Sequence, residues 1–259
     1  MNRLQKLLDI KKKDLLSVYF TAGFPRLDST GEVIDALCQG GADMIEVGIP
    51  FSDPMADGPV IQHSGSAALK NGMSLRLLLD QVEEARKRNP DTPLIAMGYI
   101  NPIMQMGVEN FFKRAKEAGI DGVIIPDLPF SNYINEYKEL SRKYDLPMIM
   151  LITPETSEER IRLIDEHCDG FIYMVSVAST TGARDRFTEE QVAYFKRIND
   201  MNLRHQRLIG FGISNKGTYD EACRYSSGAI IGSQFIKCLE SASTPAEAVA
   251  DLMTRIGRH

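Results

Sequence analysis

The sequence predicts an α/β protein, one (β/α)8 barrel of the TIM type. Extra helices are expected at the N-terminus, in the loop after the second strand and at the C-terminus. Three observations predict it. Short apolar runs alternate with longer amphipathic stretches, the pattern of parallel strands each followed by a helix. The apolar runs number eight. The chain has 259 residues, close to the roughly 250 of a typical eight-fold barrel. It shows no linker, low-complexity stretch or composition shift, so residues 1–259 read as one domain. An open, doubly wound sheet also alternates strands with helices; the count and the length favour the closed form.

A short N-terminal helix ends at Lys11-Lys12-Lys13. Strands are expected at 16–20, 44–47, 94–97, 122–125, 148–151, 170–174, 207–210 and 228–231. Each is almost continuously apolar, as strands covered on both faces are. Between them, 29–39 carries Val33, Ile34 and Leu37 on one side and is closed by Gly40-Gly41. The segment after strand two enters a helix at Pro59, and 75–88 places Leu78, Leu79, Val82 and Ala85 on one stripe. Helices follow at 111–118, 133–144, 158–166, 189–198, 217–224 and 234–240. The last, 245–256, has Thr244 as its N-cap and Pro245 in its first turn. Three helix-to-strand joints look alike: Gly40-Gly41-Ala42-Asp43, Ala118-Gly119-Ile120-Asp121 and His167-Cys168-Asp169-Gly170.

Composition excludes several functional classes. With 43% hydrophobic and 25% charged residues, the chain can build a packed core. A net charge of −5 without a basic stripe argues against nucleic acid as a partner, and the lysine run reads as a solvated helix end. The four cysteines form no CxxC pair and have no histidine at metal-ligand spacing, so reduced thiols and no metal site are expected. The first residues lack an apolar signal core and no window reaches membrane-spanning length. The expected location is the cytoplasm.

In such a barrel the reacting groups sit where strands end at the C-terminal face. Glu46 is a lone carboxylate inside the apolar run Met44-Ile45-Glu46-Val47-Gly48. Burying an ionised carboxylate is costly unless it is paired or neutralised, and burial pushes its pKa towards the range of proton transfer. A structural Glu paired with a neighbouring strand is the other reading. Asp57 lies in a loop stiffened by Pro54 and Pro59 and turned at Gly58. It can point over the barrel mouth or bond its own backbone. Gly210, Gly212, Gly232 and Ser233 follow strands seven and eight. Glycine lets the backbone approach a ligand closely and offer its N–H groups. Gly232-Ser233 also opens a helix whose dipole favours an anion. Together they predict a phosphate site, although each glycine alone also fits a simple turn.

The run Glu46-Val47-Gly48-Ile49-Pro50-Phe51-Ser52-Asp53-Pro54-Met55-Ala56-Asp57-Gly58-Pro59 resembles the signature of the tryptophan synthase α subunit family. Family-like pieces occur in the family's order. They are Thr21-Ala22-Gly23-Phe24-Pro25, Met97-Gly98-Tyr99-Ile100-Asn101-Pro102, Pro126-Asp127-Leu128-Pro129, Tyr173-Met174-Val175-Ser176, Gly210-Phe211-Gly212-Ile213-Ser214 and Gly228-Ala229-Ile230-Ile231-Gly232-Ser233. The likeness covers nearly the whole chain. It implies a lyase of L-tryptophan biosynthesis that cleaves indole-3-glycerol phosphate to indole and glyceraldehyde 3-phosphate.

The resemblance also implies roles. Glu46 would protonate the indole ring carbon, Asp57 would hold the indole N–H, and Tyr173 would lie against the substrate. Gly182 would join Gly210, Gly212, Gly232 and Ser233 around the phosphate. Tyr19, Met97, Tyr99, Ile124 and Phe211 match positions of the indole pocket, and Thr181 belongs to a lid that meets Asp57 on closing. No cofactor is implied in this chain. Pyridoxal phosphate is expected in a β subunit, within an αββα assembly touched by Asp53-Pro54-Met55 and Asn101-Pro102. The lid departs from the family pattern: Ser179 and Thr180 stand where Gly and Val are usual, which is expected to alter its hinge. Competing readings are another phosphate-substrate barrel enzyme, a non-catalytic regulatory subunit and a stand-alone indole-releasing lyase.

Overall fold

The computed structural model describes residues 2–176 and 186–258. Eight parallel strands close into a barrel in sequential order: β1 (Leu15–Thr21), β2 (Met44–Gly48), β3 (Leu94–Met97), β4 (Gly122–Ile124), β5 (Met148–Ile152), β6 (Ile172–Val175), β7 (Arg207–Gly210) and β8 (Gly228–Ile231). β8 closes on β1 with Leu15 opposite Gly228 and Val18 opposite Ile231.

Side chains alternate across each strand, so one barrel makes two cores. Leu16, Val18, Phe20, Ile45, Val47, Ile172 and Met174 face outward into the layer shared with the helices. Leu15, Met44, Ile95, Ile124, Ile149, Tyr173, Leu208 and Ile230 face inward and fill the barrel. Helix α1 (Arg3–Ile10) plugs the end where the strands begin. Asn2 caps it by accepting from the Leu4 amide at 2.8 Å, and Leu4 and Leu8 join the inner core.

The surrounding helices begin with α2 (Ser29–Gln39), α3 (Pro59–Lys70), α4 (Leu75–Arg88), α5 (Ile100–Met106) and α6 (Val108–Glu117). Next come α7 (Phe130–Asn132) and α8 (Lys138–Lys143), joined by a π-helical turn at Tyr133–Tyr137, then α9 (Glu158–His167) and α10 (Glu189–Asp200). The chain finishes with α11 (Lys216–Tyr225), α12 (Ser233–Ser241) and α13 (Pro245–Ile256). The expected extra helices are therefore α1, α3 and α13.

Two of the three look-alike joints work alike. Gly41 and Gly119 sit at φ +85° and +84°, where a side chain would be strained. The aspartate two residues on then takes an amide at the start of a neighbouring strand: Asp43 Oδ2 accepts from Leu16 N at 2.8 Å, and Asp121 Oδ2 from Leu94 N at 3.0 Å. Asp121 is also ion-paired to Arg86 at 2.8 Å and Arg3 at 3.0 Å. In the third joint Gly170 is at φ +94° and belongs to the turn, so the sixth strand begins at Ile172 instead of residue 170.

Among the described residues, no helix is long and apolar enough to cross a membrane. No group of three or more His, Cys, Asp or Glu side chains gathers among them as metal ligands would. The four thiols are free.

Candidate active site

Glu46 points inward from β2, with Tyr19 of β1 and Ile95 of β3 beside it in register. It is 0% exposed. The Ser17 hydroxyl donates to Oε1 at 2.7 Å, whereas Oε2 has no hydrogen-bond partner among the described residues. No cation pairs with it there, so the structural salt bridge considered from sequence does not form. Burial pushes the carboxyl up to about 7, and the Ser17 hydrogen bond acts against that rise. A carboxyl poised there can both give and take a proton near neutrality.

Asp57 reaches the same mouth from the loop after β2. Its side chain does not bond its own backbone. The Tyr99 hydroxyl donates to Asp57 Oδ2 at 3.1 Å and accepts from the Ala56 amide at 2.9 Å. Phe51 packs against the Tyr99 ring with centroids 5.4 Å apart. The Gln62 side-chain amide holds the Asp57 carbonyl at 2.8 Å, tying the loop to α3. Burial raises the Asp57 pKa and the Tyr99 bond opposes it. Tyr99, predicted as pocket wall, thus stands beneath the loop and orients Asp57.

Two buried phenols feel both carboxylates. Tyr173 spreads over Gly210, where an added Cβ would fall 2.3 Å from its hydroxyl oxygen; Tyr19 covers Gly48 in the same way at 2.2 Å. Burial pushes both phenols far above their usual range, and both also feel the negative fields of Glu46 and Asp57. They stay neutral donors. Met97, Ile124, Tyr173 and Phe211 belong to one apolar cluster, with the Tyr173 and Phe211 rings edge to face at 6.3 Å. Three of the five residues expected to line the indole pocket, Met97, Ile124 and Phe211, thus share an apolar cluster with Tyr173.

The glycine-rich end lies beside them. Phe211 and Gly212 take φ of +70° and +76° in succession, a sharp turn fixed by the Ser176 hydroxyl donating to the Phe211 carbonyl at 2.7 Å. Gly232 is the N-cap of α12 and no side chain caps its first amides. Tyr19 sits against Gly232, 3.3 Å from an added Cβ, which joins this end to the carboxylate end. Gly182, Thr181, Ser179 and Thr180 lie outside the described residues. Beyond that segment, Gln191 binds the Ser176 carbonyl at 3.2 Å and completes a capping box with Thr188 at the start of α10.

The geometry thus brings a neutralisable acid, a second carboxylate, an apolar wall and uncapped amides to one barrel mouth. A family model described as tryptophan synthase alpha chain matches residues 5–258. The chain belongs to the tryptophan synthase alpha chain family. A relative of that name from Parabacteroides distasonis is 60% identical, with 98% of each chain covered. One from Bacteroides fragilis is 57% identical over 97% of this chain and 95% of its own. A crystal structure of the α subunit from Legionella pneumophila superposes with a TM-score of 0.89 at 35% identity, covering 99% of this chain and 97% of that one. The α subunit from Pyrococcus furiosus gives 0.84 at 34% identity, covering 96% and 98%.

The reaction is the lyase cleavage of indole-3-glycerol phosphate that defines this α subunit. Three contacts that brace the site were not foreseen from the sequence. Ser17 holds Glu46. Thr21 and Ser64 share a hydrogen bond of 2.7 Å that ties β1 to α3. Asp127 accepts from the Ile100 amide at 3.0 Å and fixes the start of α5. Thr21 and Asp127 stand in family-like pieces of the sequence, but their contacts, like that of Ser17, join residues far apart in the chain, which no local motif reveals.

Proposed function

We propose that Glu46 and Asp57 act on opposite ends of the indole ring system while the turn at Phe211-Gly212 and the start of α12 hold the phosphate. Indole is a poor leaving group as a carbanion. Protonating the ring carbon that carries the glycerol chain puts the positive charge on the ring nitrogen. The proton of the adjacent glycerol hydroxyl is then removed, the C–C bond breaks, and its electron pair returns to the ring. The products are neutral indole and an aldehyde. Glu46 donates the first proton from Oε2 and, once ionised, is placed to receive the second. Asp57 accepts the indole N–H and stabilises the charge that develops there. Tyr173 lies against the substrate beside Glu46. The uncapped amides at Gly232-Ser233 and the backbone at Gly210 and Gly212 suit the phosphate.

The observation that carries this reading is the wholly buried Glu46, one carboxyl oxygen of which has no hydrogen-bond partner among the described residues. The exposed Met55, on the loop that carries Asp57, and Met104 of α5 support docking of a β subunit. That partner would carry pyridoxal phosphate, within an αββα assembly. Asp57→Asn tests the charge-stabilising role. Removing one such group typically costs ~10²–10³ in kcat, and indole release should fall accordingly while glycerol 3-phosphate still binds. Wild-type turnover in that variant would refute the role.

A further inference from the structure

Position 17 is unusual for where it sits. On β1 the outward residues Leu16, Val18 and Phe20 pack against the helices, while Leu15 faces the inner core. Ser17 shares the inward face with Leu15, where bulky apolar side chains otherwise dominate, and it is 0% exposed. A hydroxyl buried there needs a partner. Its only side-chain hydrogen bond among the described residues is the 2.7 Å donation to Glu46 Oε1. The β1–β2 register pairs Ser17 with Met44 and Tyr19 with Glu46, so the serine reaches the carboxyl diagonally from below, the side away from the barrel mouth.

Resting on the reading of Glu46 as the acid, we propose that Ser17 is a positioning residue. By occupying Oε1 it fixes the carboxyl plane and reserves Oε2 for the proton that passes to the substrate. The hydroxyl has one hydrogen to give. It donates to Oε1 whether the group is a carboxylate or a carboxylic acid whose proton sits on Oε2. Without it, the carboxyl can rotate and place its proton on the oxygen that faces the barrel floor. The bond also favours the ionised form, in opposition to the desolvation that raises the pKa. Ser17 therefore sets both the direction of the acid and the pH at which it loses its proton.

The test is Ser17→Ala in the full chain. Hydrogen bonds to charged groups and the pKa scale place the effect at about one pH unit, or about tenfold. The limb of the kcat profile on which Glu46 loses its proton should move upward by that amount. Below the limb kcat should fall by about tenfold, with KM little changed, because Ser17 does not touch the substrate. Carbon-13 NMR titration of the Glu46 carboxyl should show the same upward shift without any turnover. Ser17→Thr, which keeps the hydroxyl, should restore the wild-type profile. Should the alanine variant not fold, Ser17→Cys, of similar size but a weak donor, takes its place in both measurements. Unshifted titration and an unshifted profile in a folded variant would overturn the proposal. Glu46→Gln in the same assay separates the two ideas: a fully active glutamine variant defeats the reading of Glu46, whereas an inactive one beside an unshifted Ser17→Ala profile defeats only the role of Ser17.

Discussion

A single residue carries the chemical argument, and it does so against its own stability. Glu46 is charged most readily in water, yet it sits wholly inside the barrel with one hydrogen bond and no paired cation among the described residues. Its folded pKa, about 7, lies above the ordinary value of 4.5, so the native state binds the proton more tightly than the unfolded chain. The stabilisation is complete below pH 4.5, is lost as pH rises towards 7, and is absent above it. A shift of that size corresponds to roughly 3 kcal/mol. Glu46→Gln removes this dependence. Denaturant melts of the two proteins should therefore diverge across that window, with the glutamine variant gaining relative stability towards alkaline pH. Parallel curves would mean that Glu46 is not held neutral by burial.

At the scale of elements, glycines set how closely strands and aromatic rings approach. Gly210 ends β7 directly beneath the Tyr173 hydroxyl, and a methyl group there would lie 2.3 Å from the phenol oxygen. Gly210→Ala must displace the ring from the mouth. A misplacement of about 1 Å can cost about 10²-fold in rate, so kcat should fall by that order while far-UV circular dichroism stays native. Unchanged kinetics would show that Tyr173 has no fixed place in catalysis. Much of this level was legible in advance, because an apolar run or a 3.6-residue stripe is local information. All eight strands were found, and α2, α4 and α13 have the expected bounds. Helix α5, which opens at Ile100 and contains Asn101-Pro102, was not among the expected helices. A proline in the first helical turn lacks only an N–H that has no partner there in any case, so it stopped nothing. The chain at 133–144 begins its helix earlier, at Phe130, and passes through a π turn that periodicity does not reveal. The site was legible where the family signature names residues, as at Glu46 and Asp57. It was not legible where contacts join distant parts of the chain, such as Ser17 with Glu46 or Tyr99 with Asp57.

At the scale of the whole molecule, the barrel separates tasks between its ends. The strand starts are closed by α1 and the Asp121 ion pairs, which serve stability. The strand ends carry the two carboxylates, the apolar wall and the glycine turns. On that face Met55 is 86% exposed and Met104 60% exposed, large apolar side chains that a partner surface would cover. Adding a β subunit should accelerate indole release by ordering the loop that carries Asp57, and Met55→Glu should weaken that stimulation. Equal rates with and without β would favour a stand-alone lyase. In the proposed mechanism a carboxyl kept neutral by burial protonates the ring of the substrate. Single-turnover release of indole from indole-3-glycerol phosphate, compared between the wild-type chain and Glu46→Gln with β present, tests it most directly. A loss of about 10²–10⁴-fold with substrate binding retained is expected; release at the wild-type rate would mean that Glu46 is not the acid.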